Sequence, residues 1–207
     1  MPAHRMHLTV LEIAHSRTPE EIAGLVSTTR PSLPALTSLT YTRRSRLVKP
    51  FLSYDLSAFA VSFLPAAGET VLSPPPVLPH DSNTVHPGLG SKDGEDADSY
   101  TYHHLRRDVF GLVQAAGVDI ASRYVVPSAH ITLGRYLTQN DHDTPGKRQR
   151  WIQKIDEINK WLQEEVWDVS GGGFVGEWIV GQERGLDARA GPVWYGGGRS
   201  IIQGEGF

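Results

Sequence analysis

The chain has 207 residues, 39% hydrophobic and 21% charged, with a formal net charge of −3. Those proportions exclude wholesale disorder, and the charge excludes a broad basic face for coating nucleic acid while leaving room for a local cationic pocket. The lack of cysteine excludes a disulfide framework, a thiolate nucleophile and a Cys-type zinc site.

In chain order, His7–Ile13 reads as a strand with one apolar face. Thr18-Pro19-Glu20-Glu21 is a helix start, with Thr as N-cap, Pro at the first helical position and Glu completing a capping box. Leu39–Val48 and Ser53–Leu64 read as two strands separated by a turn or bulge at Lys49-Pro50. Residues 66–99 hold Pro74-Pro75-Pro76 and the acidic run Asp93, Glu95, Asp96 and Asp98, and read as a flexible linker. Leu105, Val109, Leu112, Val113 and Ala116 recur at helical spacing. Tyr124–Leu137 reads as a strand, and Lys147–Val166 as an amphipathic helix with Trp151, Ile155, Ile158 and Leu162 on one face. Short strands at Gly176–Val180 and Pro192–Tyr195 close the chain. The pattern predicts an α+β fold in a single domain, with lobe-like halves over about 1–65 and 100–207. No stretch approaches the roughly 18 apolar residues of a membrane span, and Met1–Met6 lacks the apolar run of a secretory signal. An intracellular protein, cytoplasmic or nuclear, with no membrane partner is expected.

The chemistry-bearing pattern is His7-Leu8-Thr9-Val10 and its echo His130-Ile131-Thr132-Leu133. Residues two apart in a strand share a face, so each strand offers one imidazole and one hydroxyl to one side and aliphatics to the other. Composition alone would produce His–aliphatic–Thr–aliphatic about 0.03 times in this chain, yet it occurs twice. Two imidazoles can share acid–base work near neutral pH, one taking a proton while its partner gives one. Displacement at phosphorus needs that pair, together with donors on the non-bridging oxygens.

These two motifs resemble the paired H-x-T/S-x motifs of the two-histidine phosphoesterase superfamily, in its cyclic phosphodiesterase and RNA-ligase-like branch. The likeness covers most of the chain, and Val125–Leu137 with the helix before it matches the usual approach to the second motif. It implies two antiparallel-sheet lobes with helices outside and a central cleft. It also implies metal-independent chemistry without a cofactor, on 2′,3′-cyclic phosphates of nucleotides or RNA ends. Carried to matching positions, it assigns His7 and His130 to catalysis and Thr9 and Thr132 to the substrate phosphate. Family members place a strand and a helix before the first motif, whereas here it begins at residue 7. Either the chain is trimmed or its first lobe is completed differently.

The expected reaction is hydrolysis of a nucleoside 2′,3′-cyclic phosphate, or of ADP-ribose 1″,2″-cyclic phosphate, to a 2′-phosphate. The alternatives are RNA-end trimming or ligation, and a non-catalytic nucleotide- or RNA-binding module. No stable protein partner is expected. Tyr124, Trp194 and Tyr195 are candidates to stack a base, with core packing as the competing reading. Arg43, Arg44, Arg46 and Lys49 form a basic cluster that is either an RNA path or a solvated strand edge. His103 and His104 lack an HExxH context, and no His, Asp and Glu cluster has metal-ligand spacing. His15, His80, His86 and His142 read as structural or incidental, and Gly196–Gly198 is no P-loop because no Gly-Lys-Ser/Thr follows.

Overall fold

A computed structural model describes residues 1–72, 98–120, 129–170, 174–192 and 196–207. After a 3-10 turn at Ala3–Arg5 the chain runs extended. The strand expected over His7–Ile13 is reduced to a single antiparallel bridge, Leu8 to Ile131. Helix α1 (Pro19–Thr29) begins as the sequence requires. The Thr18 hydroxyl accepts the Glu21 N–H at 3.3 Å, and the Glu21 carboxylate accepts the Thr18 N–H at 2.7 Å.

Leu39–Val48 is not one strand. Leu33–Thr37 (α2) and Leu39–Thr42 (α3) are short helices, and β1 starts at Arg46. Packing overrides strand propensity at this point: Thr40 is fully buried against Gly181, where an added Cβ would lie 2.6 Å from the Thr40 Cβ. Strand β1 (Arg46–Tyr54) runs through Lys49-Pro50 as a bulge. Lys49 is left-handed there (φ +53°), held by its N–H on the Gly176 carbonyl (3.1 Å) and by the Trp167 indole N–H on the Pro50 carbonyl (2.7 Å).

Strands β2 (Ala58–Pro65), β3 (Ala129–Arg135) and β4 (Glu177–Ile179) complete a wholly antiparallel sheet in the order β3-β2-β1-β4. The sheet curls into a half-barrel and mixes strands from both halves of the chain. A second ribbon pairs β5 (Asp187–Ala190) with β6 (Arg199–Gln203). The tail strand expected at Pro192–Tyr195 falls mostly on residues 193–195, outside the described residues. The fold is mixed α+β, and among the described residues no helix is long and apolar enough to cross a membrane.

One face of the sheet is covered by helix. Leu47, Phe63, Ala129 and Trp178 meet Tyr102, Leu105, Val109 and Val113 of α4 (Tyr102–Ala115), whose spacing puts all four on one stripe. Helix α5 (Pro145–Glu165) lies along β1. Trp151, Ile155 and Leu162 face inward as expected, but Ile158 is 37% exposed and the polar Asn159 takes its place. The Asn159 carboxamide accepts the Leu52 N–H (2.6 Å) and donates to the Leu52 carbonyl (3.1 Å). Strand β4 pairs only with Arg46, Leu47 and Val48, so Asn159 supplies the next rung of the ladder.

Asp98 does not belong to a solvated acidic linker. Arg46, 7% exposed, donates from Nε and Nη2 to the two Asp98 carboxylate oxygens (3.0 and 2.6 Å) and from Nη1 to Glu177 (2.8 Å). It also donates to the carbonyls of Glu69 and Thr70, while Glu177 accepts the Leu72 N–H and Asp98 the Gly68 N–H. One guanidinium thus pins both borders of residues 73–97 to the sheet. Residues 73–97 of the expected linker lie outside the described residues.

Candidate active site

The Leu8–Ile131 bridge joins the two motifs edge to edge. Were this antiparallel register continued one residue outward on each side, His7 would lie across from Thr132 and Thr9 across from His130, all four on the face opposite Leu8 and Ile131. Residues so opposed have Cβ atoms roughly 4.5–5.5 Å apart, and the His7–His130 diagonal spans roughly 7–8 Å between backbones.

Strand β3 brings its motif against β2, with Ser62 opposite His130 and Ala60 opposite Thr132. Ser62 is 2% exposed and shares a 2.6 Å hydrogen bond with Ser53 of β1. Small side chains at 53, 60 and 62 therefore lie on this face of the sheet. His130 and Thr132 are half-buried, Thr9 is half-buried and His7 is exposed.

The first motif is held from behind by α4. Tyr102, 1% exposed, donates its hydroxyl to the Thr9 carbonyl at 2.8 Å, and Arg106 one turn later donates Nε to the Val10 carbonyl at 3.1 Å. Sequence reasoning placed residue 102 in no site, because a Tyr on an apolar helical stripe signals core and its polar tip leaves no local trace. His7 Nδ1 lies 3.0 Å from the Arg5 carbonyl oxygen. A carbonyl can only accept, so Nδ1 is the donor in this bond and Nε2 is the nitrogen not engaged by it.

The other candidates fall elsewhere. Tyr124, Trp194 and Tyr195, the proposed base-stacking residues, lie outside the described residues, as do His80 and His86. Each member of the basic cluster has a partner within the protein. Arg43 binds Asp108 (2.6 Å), Arg44 lies 4.0 Å over the Phe207 ring, Arg46 is buried, and Lys49 meets Glu69 at 3.3 Å. His104 accepts the Thr101 N–H on Nδ1 and so caps α4. His142 is buried with its ring 4.6 Å from that of Tyr136, a packing role. Among the described residues, no three His, Asp or Glu side chains group to hold a metal.

Two surface depressions, of about 440 and 370 Å³, lie apart from the motifs. The larger is lined by Arg43, Arg107 and Asp108, whose charges already pair with one another. Tyr100 beside it donates to Asp108, and burial together with that carboxylate pushes the phenol up to about 12, so it is no proton donor near neutrality. No family model, curated protein or solved structure matches the chain.

Proposed function

We propose that this protein is a metal-independent phosphodiesterase that opens a nucleoside 2′,3′-cyclic phosphate, or the related ADP-ribose 1″,2″-cyclic phosphate, to the 2′-phosphate. The observation that carries the reading is the Leu8–Ile131 bridge, which joins the two motifs at the aliphatic residue between each histidine and threonine. Water attacks phosphorus and passes a proton to His130. The P–O bond to the 3′ oxygen breaks, and that oxygen takes the Nε2 proton of a His7 imidazolium, which is left as the neutral ring with its Nδ1–H on the Arg5 carbonyl. Thr9 and Thr132 donate to the non-bridging oxygens, where negative charge concentrates as the bond to water forms. The finer form of the fold, two lobes around a central cleft, belongs to the same proposal, with the motif face as a wall of that cleft.

Incubation with 2′,3′-cyclic AMP in EDTA, followed by product identification, tests it. Release of 2′-AMP, lost on changing either His7 or His130 to Ala, is the expected result. Binding without turnover would leave a module that only holds nucleotide, and turnover restored solely by added metal would remove the acid–base assignment.

A further inference from the structure

The glycine run of the β5–β6 ribbon ends against the segment that carries His7. Gly196 is buried and left-handed (φ +70°), and its backbone lies so close to Arg5 that no side chain fits between them. An added Cβ would come within contact of the Arg5 carbonyl oxygen, 2.8 Å from the Arg5 Cβ and 3.0 Å from its carbonyl carbon. That carbonyl is the one accepting from His7 Nδ1. Arg189 of β5 in turn donates to the carbonyls of Gly196 (3.2 Å) and Gly198 (3.1 Å), fixing the run in place.

We infer that Gly196 is a positioning residue for His7: it acts through the Arg5 carbonyl to hold the proton on Nδ1 and to aim Nε2 outward. The ribbon thereby takes part in the site without touching substrate. A Cβ at 196 must displace Arg5, and the Arg5 carbonyl then no longer meets Nδ1. The ring is free to rotate and to exchange tautomers. The inference concerns the state of the imidazole, and its consequence for turnover rests on the phosphodiesterase reading.

Gly191 is the internal control. It lies in the same ribbon with φ +94°, so Ala is strained there too, but its Cβ would meet only the Gly198 Cα, at 3.9 Å. Nitrogen-15 NMR of the histidine rings in the whole protein reads the His7 tautomer directly. In the wild type the neutral form of the His7 ring should carry its proton on Nδ1. Gly196→Ala should populate Nε2–H and lower kcat on 2′,3′-cyclic AMP by roughly 10²-fold, the scale of an ångström-sized misplacement. Gly191→Ala should keep the wild-type tautomer, with kcat within about twofold. If Gly196→Ala does not fold, Arg189→Met, which frees the same loop without adding a Cβ, must shift the tautomer in the same direction. A folded Gly196→Ala with the wild-type His7 ring, or an equal shift in Gly191→Ala, overturns the inference. A shifted tautomer in a protein whose wild type turns nothing over would sink the phosphodiesterase reading and leave the coupling standing.

Discussion

Changing Arg46 to Met would leave two carboxylates, Asp98 and Glu177, buried without a cation. Both are almost wholly enclosed, with side chains 4% and 0% exposed, so solvent cannot replace the guanidinium. Three charge-assisted hydrogen bonds of 2.6–3.0 Å vanish, together with those to the Glu69 and Thr70 carbonyls. Removing one partner of a buried ion pair costs about 3–5 kcal/mol. At ~2–4 °C per kcal/mol for a chain of this length, the melting temperature should fall by roughly 6–20 °C. Urea titration followed by tryptophan fluorescence measures the loss. A triple variant (Arg46→Met, Asp98→Leu, Glu177→Met) has no stranded charge and should recover most of it, since apolar replacement of a buried triad is often neutral or better. A cost below about 1 kcal/mol for Arg46→Met, the range of exposed ion pairs, would refute the clasp. So would a triple variant weaker than the single one.

Changing either motif histidine to Ala should slow turnover roughly 10²–10⁴-fold; a cyclic phosphate with an activated leaving group should rescue His7→Ala but not His130→Ala, and the reverse pattern would exchange acid and base. Tyr102→Phe strands the Thr9 carbonyl and should cost about 0.5–1.5 kcal/mol, with a loss of kcat as Thr9 loosens; equal kcat in a destabilised protein would confine Tyr102 to the core. Asp55 accepts from the Ser57 hydroxyl (2.7 Å) and from the Ser57 and Ala58 amides (2.6 and 2.8 Å), which hold its carboxyl below the usual range. A depressed folded pKa stabilises fully above the unfolded value of about 3.9 and is lost as pH falls through the folded one. Urea midpoints should therefore drop less steeply below pH ~4 in Asp55→Asn, and parallel acid profiles would show that Asp55 does not anchor the hairpin.

The alternation of the second motif was legible because its information is local: in β3, His130 and Thr132 stand opposite Ser62 and Ala60 on one face. The Thr18–Glu21 capping box was legible for the same reason, since both its bonds close within one turn. What escaped depends on distant partners. Asn159 interrupts an apolar stripe in order to serve Leu52, 107 residues away, so periodicity assigned Ile158 to the interior instead. Asp98 sits in an acidic run that reads as solvated, and only Arg46, 52 residues earlier, makes it a buried anchor. Leu39–Thr42 has the composition of a strand, and its helical turn is set by how Thr40 seats against Gly181. Pairing between the motifs needed a register that no single segment encodes.

The attachment of residues 1–9 has a consequence for self-association. Strand β3 ends the sheet order, and its outer side is met by Leu8 at Ile131 and by the Met1 amino group, which donates to the Leu133 carbonyl at 2.7 Å. An open strand edge is a template on which another extended chain can add. The N-terminal segment occupies that template with one bridge and one terminal hydrogen bond, far fewer contacts than a full strand would make. Peeling it away costs little backbone pairing, although it also breaks the Tyr102 bond to the Thr9 carbonyl, and it would expose the edge at the same moment that it removed His7 and Thr9. Loss of the site and a tendency to pair edge to edge are therefore coupled events in this chain.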